Sequence, residues 1–408
     1  MSKKTIAFFI AFIFVLGAIG VMLLLNSIKY STPAVNVEDD LPGTSVVQNV
    51  YSPSITENNQ SVLPTSTPSI TPTPEPLKIV AVGDILLGRG VQSRLKNANK
   101  DYIYPFLETA HILKQGDVVF ANLEEAITSR THSLTDIKNG GKYVLKNPVD
   151  SINGLKYAGF NLFSLANNHI LDYYEEGLFD TIKILEENDI KYSGAGKNLE
   201  DAKKPAILEK KGYKIGLLSY TDFAEVTYKG NPPLKFIAGE NKAGVVKRPI
   251  NFDDFIKSDI ENLRKEVDIL MVSLHWGNEE SFEIWDSQVE FAHNLIDNGV
   301  DVILGHHPHQ FQGIEIYKGK PIFYSLGNFI FDQNDPENQE SFIMTMEFRD
   351  NMLVSLEGVP VRTIGKIQVV PQKGEDAKNI LTREIDLCKK LNTKCEIIDD
   401  KLVFDLGN

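Results

Sequence analysis

Val300-Asp301-Val302-Ile303-Leu304-Gly305-His306-His307-Pro308-His309 is an apolar run that ends in three histidines. Its length suits a buried strand, and the polar cluster beyond it puts metal-ligating groups at the strand's carboxyl end. If the backbone stays extended through the His-Pro step, residues i and i+2 face the same way. His307 and His309 are then predicted to offer two imidazoles to one cation while His306 points away. An isolated His-x-His pair is as readily a polar loop that hydrogen-bonds locally, so the metal reading depends on what the chain places at equivalent positions.

Working outward, the same design recurs. Apolar runs at Leu77 to Val82, Asp117 to Ala121, Asn161 to Ala166, Asp268 to Leu274 and Asp301 to Leu304 read as buried strands. The first four end in Gly83-Asp84, Asn122-Leu123-Glu124, Asn167-Asn168-His169 and His275-Trp276-Gly277. Helices are expected near Tyr104 to Lys114, Asp150 to Tyr157, Tyr173 to Asn188, Phe252 to Lys265 and Ser287 to Asp297, mostly as crossovers. Strands apolar on both faces with helices between them predict an α/β fold with a covered, largely parallel sheet, and ligands gather beyond the carboxyl ends of such strands. Asp84, Asn122 or Glu124, Asn168 with His169, and three further histidines should therefore meet in one cleft. Lys214 to Thr221, Ile314 to Ser325 and Phe342 to Leu356 read as hairpins, which implies a mixed sheet or two stacked sheets. Asp172, three residues before Glu175, fits a capping box that starts the third helix; it also lies where it can steady His169.

Of the 408 residues, 42% are hydrophobic and 24% charged, ordinary values for a folded domain. The net charge of −13, with lysines in scattered pairs such as Lys203-Lys204, argues against nucleic acid as a partner. Ile6 to Leu25 are uncharged and mainly apolar, roughly 30 Å as a helix, enough to cross a bilayer. Lys3 and Lys4 should keep the N-terminus in the cytoplasm, so the chain is expected to be a single-pass cell-membrane protein with its main domain extracytoplasmic. A cleaved signal peptide ending near Ala18-Ile19-Gly20 is the competing reading, but the apolar run continues past it. The chain thus divides into a stub and transmembrane anchor (1–30), a Ser/Thr/Pro-rich linker expected to be disordered (31–76), a main domain (77–364) and a small C-terminal element (365–408). That element carries both cysteines; a helix end at Lys389 to Asn392 before a strand at Cys395 would let Cys388 and Cys395 form a disulfide, the alternative being two free thiols.

Taken as a set, Val82-Gly83-Asp84-Ile85-Leu86-Leu87-Gly88-Arg89, Ala121-Asn122-Leu123-Glu124, Leu165 to Asp172, His275-Trp276-Gly277, Gly305 to His309 and Tyr324-Ser325-Leu326-Gly327-Asn328-Phe329 resemble the CapA-type capsule (poly-γ-glutamate) synthesis family, a branch of the calcineurin-like metallophosphoesterases. The resemblance covers about Leu77 to Thr363. It implies a four-layer α/β/β/α sandwich of two mixed sheets (the calcineurin-like metallophosphatase fold) after the one transmembrane helix, around a site for two divalent metal ions. Carried over residue by residue, Asp84, Glu124 or Asn122, Asn168, His275, His307 and His309 would be metal ligands and His169 the catalytic acid that protonates the leaving group. Two departures imply that one metal position is either weakened or takes a different cation: Leu86 stands where the pattern has a histidine, and the second motif lacks its usual Gly-Asp.

Imidazoles combined with carboxylate and amide oxygens suit Mn, Fe or Zn. Arg89 is expected either to contact an anionic substrate or to form a surface ion pair. Asn328 either orients a ligand histidine or serves a turn, and His306, like Asp172, is placed around the ligands rather than among them. The resemblance implies as partners the membrane, an anionic polymer such as poly-γ-glutamate and other capsule synthesis subunits. Three functions stay open: a part in capsule assembly or export, a metal-dependent hydrolase of phosphoesters or of the polymer's amide links, and a non-catalytic polymer-binding protein.

Overall fold

The computed structural model describes residues 75–228 and 230–407. The expected anchor and all but the last two residues of the expected linker lie outside them. Among the described residues no helix is long and apolar enough to cross a membrane.

Sixteen strands form the two main sheets. They are β1 (Leu77–Ile85), β2 (Val118–Leu123), β3 (Leu162–Ser164), β4 (Lys191–Ser193), β5 (Ala206–Lys210), β6 (Tyr213–Thr221), β7 (Ile269–His275), β8 (Val302–His306), β9 (Ile314–Tyr317), β10 (Lys320–Phe323), β11 (Asn328–Ile330), β12 (Glu340–Arg349), β13 (Met352–Ile364), β14 (Gln368–Pro371), β15 (Cys395–Ile398) and β16 (Lys401–Phe404). The ten-stranded sheet runs β15-β16-β13-β12-β1-β2-β3-β4, with β11 beside β1 and β14 beside β13. The six-stranded sheet runs β9-β10-β8-β7-β6-β5. Both are mixed: β1 to β4 pair parallel, as do β6, β7, β8 and β10, while hairpins add antiparallel strands at the flanks.

Alternation along β1 shows how the sheets stack. Ile79 and Ala81 face one core with Phe120, Leu217, Met271 and Leu304, which joins the two sheets face to face. Val80 and Val82 face the other way, under Val91 and Leu95 of α1 (Arg89–Asn97), Leu155 of α2 (Ile152–Ala158) and Leu178 and Leu185 of α3 (Tyr174–Glu187). On the far side, Val272 and Ile303 pack under Ile256 and Ile260 of α4 (Asp254–Arg264) and Phe291 and Leu295 of α5 (Asp286–Asp297). The layers are therefore helix, sheet, sheet, helix, and an apolar-to-Ala change in the middle core would cost about 2–5 kcal/mol.

Several expectations are corrected. Tyr104 to Lys114 is not one helix: a single turn at Tyr104–Phe106 and a short helix at Ala110–Leu113 flank Thr109, whose hydroxyl donates to the Phe106 carbonyl and competes with helix continuation. Lys214 to Thr221 is one strand, and its hairpin partner is β5. Residues 365–408 do not stand apart. β14 and β16 both pair with β13, and α6 (Gly374–Lys390) buries Ala377, Ile380, Leu381 and Cys388, on one face of the helix, in the core between the sheets. Cys388 and Cys395 are free thiols, not a disulfide. The buried Cys388 thiol donates to Glu384 Oε1 at 3.1 Å and accepts from the Ile314 amide at 3.4 Å.

Candidate metal centre

Two close approaches of backbone build the site. A Cβ on Gly83 would lie 1.8 Å from the Gly327 carbonyl oxygen, and one on Gly305 would lie 2.0 Å from that of Tyr324. Only glycine lets the segment entering β11 press against the ends of β1 and β8, where the Asp84 amide donates to Gly327 O at 2.8 Å and Leu326 to Gly305 O at 3.0 Å. The strand ends of both sheets are thereby drawn together. The large sheet contributes Asp84, Asn122, Glu124, Asn168 and His169; the small one contributes His275, His306, His307 and His309. All nine are buried.

Their donor atoms form two overlapping sets, Glu124 with His275 and His307, and Glu124 with Asp84 and His309, each with its ligand atoms within 4.8 Å of one another. His275 Nε2 stands 2.9 Å from Asn168 Oδ1, 3.1 Å from His307 Nδ1 and 3.7 Å from Glu124 Oε1. Ligands bound at about 2.1 Å to one cation at angles between 90° and 109° would lie roughly 3.0–3.4 Å apart, so the Asn168 and His307 spacings match a shared cation and the Glu124 spacing is slightly wider. His309 Nε2 lies 3.9 Å from Glu124 Oε1, and its Nδ1 3.7 Å from Asp84 Oδ2. Glu124 belongs to both sets, and neither of its carboxylate oxygens has a hydrogen-bond partner. A fully buried, unpartnered carboxylate is costly unless a cation or proton neutralises it, and the donors around it are those that divalent cations take.

The electrostatics agree. Burial, then the neighbouring Asp84, push the Glu124 carboxyl well above the usual range. Burial also raises Asp84, but the His306 bond and the imidazoles of His306 and His309 outweigh it and hold that carboxyl below the usual value. Burial, followed by the other imidazoles, keeps His275 and His307 well below ordinary histidine. Neutral rings keep the lone pair that a metal needs.

The remaining predicted residues surround these donors. Asn122 donates to Asp84 Oδ1 at 2.8 Å and accepts from Asn167 at 3.2 Å, beside Glu124, which is common to both ligand sets. Asn328 Oδ1 meets His309 Nδ1 at 2.9 Å, which fixes that ring rather than a turn. His306 does not point away: its Nδ1 contacts Asp84 Oδ1 at 2.9 Å. The extended backbone assumed for the His-Pro step is absent, because His307 has φ 98° and His309 φ 60°, and this tight path lets the three rings converge. Arg89 forms an ion pair with Asp332, its Nε 3.1 Å from Oδ2. Asp172 does not cap α3, whose N-cap Tyr173 makes no side-chain cap bond. Its carboxylate takes His169 Nδ1 at 2.8 Å and the Leu145 amide at 2.7 Å. Burial, then the charge of Lys138, lower His169 to about 4.

Sequence reasoning missed four residues here. Lys138 is wholly buried against Asp172. Glu125 accepts from the Leu87 and Gly88 amides that follow β1. Asn167 takes the His169 and Ile170 amides on Oδ1. The Phe223 ring lies 3.8 Å from that of His307. Asn167 was visible in the Asn-Asn-His run; the others sit in loops without a pattern.

With this geometry in hand, the family described as bacterial capsule synthesis protein PGA_cap matches residues 78–333. The PGA biosynthesis protein CapA of Bacillus subtilis (strain 168) is 34% identical over 330 residues, 80% of this chain and 82% of that protein. The capsule biosynthesis protein CapA of Bacillus anthracis is 34% identical over 343 residues, 82% of this chain and 79% of that one. A probable polyglutamine synthesis accessory protein of Mycobacterium tuberculosis is 28% identical over 338 residues, 71% and 85% of the two chains. Among solved structures, a hypothetical protein from Thermus thermophilus superposes with TM-score 0.40 at 15% identity, over 70% of this chain and 98% of that one. The 5'-nucleotidase from Candida albicans SC5314 gives 0.38 at 11% identity, over 70% and 52%. On the extent of the family match and the identity with both Bacillus proteins, this chain belongs to the bacterial capsule synthesis protein PGA_cap family.

Proposed function

We propose that this chain serves the synthesis or export of a poly-γ-glutamate capsule, and that its globular part is a calcineurin-like metallophosphatase sandwich with a two-cation hydrolytic site. The observation that carries the reading is Glu124, buried, unpartnered and common to two ligand sets. Cations bound there, Mn, Fe or Zn by the donor set, would act as Lewis acids and make water a nucleophile near neutral pH. The chain's own residues do the rest. Asp84, Glu124 and His309 would hold one cation, and Glu124, His275, His307 and Asn168 the other. His169, with Nδ1 tied to Asp172, keeps Nε2 as the nitrogen that exchanges a proton with the leaving group. The substrate class is a phosphoester or an amide link of the anionic polymer, and bound cations would offset the chain's net charge of −13 toward it. In the same proposal Ile6 to Leu25 anchor the chain, the Ser/Thr/Pro-rich segment tethers the catalytic part outside the membrane, and further capsule synthesis subunits are its partners.

Leu86 favours a second reading, a polymer-binding protein without turnover, because its side chain is buried in the core under α1 and gives no ligand. One experiment separates the two. The purified full chain, loaded with Mn²⁺ or Zn²⁺, should hold two cations and hydrolyse a generic phosphodiester or a γ-glutamyl amide. His307→Ala should hold at most one cation and lose turnover while remaining folded. Two bound cations without turnover on either substrate class would leave the binding role; unchanged metal content in His307→Ala would overturn the ligand assignment.

A further inference from the structure

Lys138 is wholly buried, yet it lies in the excursion between the short paired segments Ala126–Ile127 and Lys146–Asn147, not in either sheet. An ammonium has three donors and no acceptor, so its surroundings must take all three. Nζ bonds Asp172 Oδ1 and donates to the Asn168 carbonyl at 3.0 Å. Its remaining side faces the rings of Tyr228 and Phe236, with centroids at 5.6 and 5.4 Å. The excursion is tied to the same loop by the Leu134 amide, which donates to Asp172 O at 2.9 Å, and by the Leu145 amide on Asp172 Oδ2.

We infer that Lys138 is a positioning residue for the hydrolytic step, fixing the ring of His169 through Asp172 and through the backbone carbonyl of the residue before it. This rests on the hydrolytic reading above. The geometry assigns the ring's hydrogen bond: Asp172 Oδ2 is 2.8 Å from His169 Nδ1, whereas Lys138 Nζ is 3.5 Å away. Asp172, held by lysine on Oδ1 and by the Leu145 amide on Oδ2, accepts from Nδ1–H. The ring is thus set with Nε2 as its free nitrogen. Lys138 offers no ligand atom to a cation, and it meets Asn168 only at the backbone carbonyl, not at the amide oxygen.

The test is a cycle of Lys138→Met, Asp172→Asn and the double variant in the full, metal-loaded chain. Each single change should lower kcat about 100-fold, the scale of misplacing a catalytic group, with KM and metal content nearly unchanged. The double variant should be no slower than the slower single one, because both act through one ring. Loss of metal along with turnover, multiplication of the two effects, or an unchanged kcat in Lys138→Met would each overturn the inference. A second readout needs no turnover: with nitrogen-15 histidine labels, His169 should show a single Nδ1-protonated ring in the parent and an altered signal in Lys138→Met and in the double variant. An identical signal in all three refutes the role. Should the parent hydrolyse nothing, the hydrolytic reading falls while this signal still decides whether Lys138 sets the ring.

Discussion

Glu124→Gln should reverse its effect on stability when metal is added. In metal-free protein the parent carries a buried carboxyl with no partner for either oxygen. An unsatisfied buried polar group costs about 1–3 kcal/mol; a glutamine amide cannot ionise and can donate to the neighbouring Asp84, so a net gain of about 1 kcal/mol is expected. With each cation at a free concentration about 100 times its Kd, binding stabilises the parent by about 2.7 kcal/mol per position. The substitution removes the oxygen ligand common to both sets, so it should forfeit most of that, about 5 kcal/mol in all. At about 2 °C per kcal/mol for a domain of this size, the variant should melt about 2 °C above the parent in chelator and, with that gain set against the forfeited binding, roughly 8 °C below it in excess Mn²⁺ or Zn²⁺.

The same residue predicts a pH slope. Because burial and Asp84 raise Glu124 above its unfolded value, the metal-free fold gains from the bound proton at low pH. That contribution is lost as pH rises from the ordinary glutamate range through the raised value. Metal binding must expel the proton, so affinity should increase with pH, and Glu124→Gln should flatten both trends. Scanning calorimetry of parent and variant, each with chelator and with metal at several pH values, measures all of this. Equal destabilisation in chelator and in metal would make Glu124 an ordinary structural group and refute the reasoning.

Other outcomes follow from single contacts. Asn328→Ala removes the partner of His309 Nδ1. It should weaken the Asp84–Glu124–His309 position about 10–100-fold while sparing the other, resolved by competition titration with a metal indicator. Gly83→Ala sets a Cβ against the Gly327 carbonyl, backbone that cannot give way without moving β11. Its urea midpoint should fall by the equivalent of roughly 4 kcal/mol or more, and a shift under about 1 kcal/mol would show that the close approach is not required.

How much of this was legible in the sequence depends on the range of the interaction. The ends of β1, β2, β3, β7 and β8 could be read because a strand buried on both faces leaves an unbroken apolar run, and the first polar residues past it must be at its mouth. Helix α1 was not read, since only Val91 and Leu95 of its nine residues are buried and two positions make no periodicity. The orientation of His306 failed on backbone conformation: His307 and His309 take positive φ, a path that neither residue type announces in the sequence. Asp172 was ambiguous for a related reason. Its local spacing to Glu175 favours a cap, but Lys138, arriving from another loop, offers a stronger partner than a backbone amide. Lys138 itself could not be found, because a lone lysine among Ser, Thr, Asn and Gly reads as solvated loop.

The division of donors between the sheets explains why the fold tolerates so unfavourable a cluster. Asp84, Glu124 and Asn168, the oxygen donors, leave the large sheet; His275, His307 and His309, the nitrogen donors, leave the small one. Each ligand set crosses the interface, so a bound cation would cross-link two layers that otherwise meet through apolar contact such as Ile79 and Ala81 against Leu217 and Met271. Dispersion and burial hold the middle of that interface, but they cannot hold its end, where carboxylate and imidazole replace methyl groups. There the attraction has to come from charge placed between the sheets. The stabilisation that metal gives and Glu124→Gln withdraws should therefore be felt as cohesion of the two sheets at their carboxyl ends, which is the geometry that hydrolysis of a substrate lying across both would require.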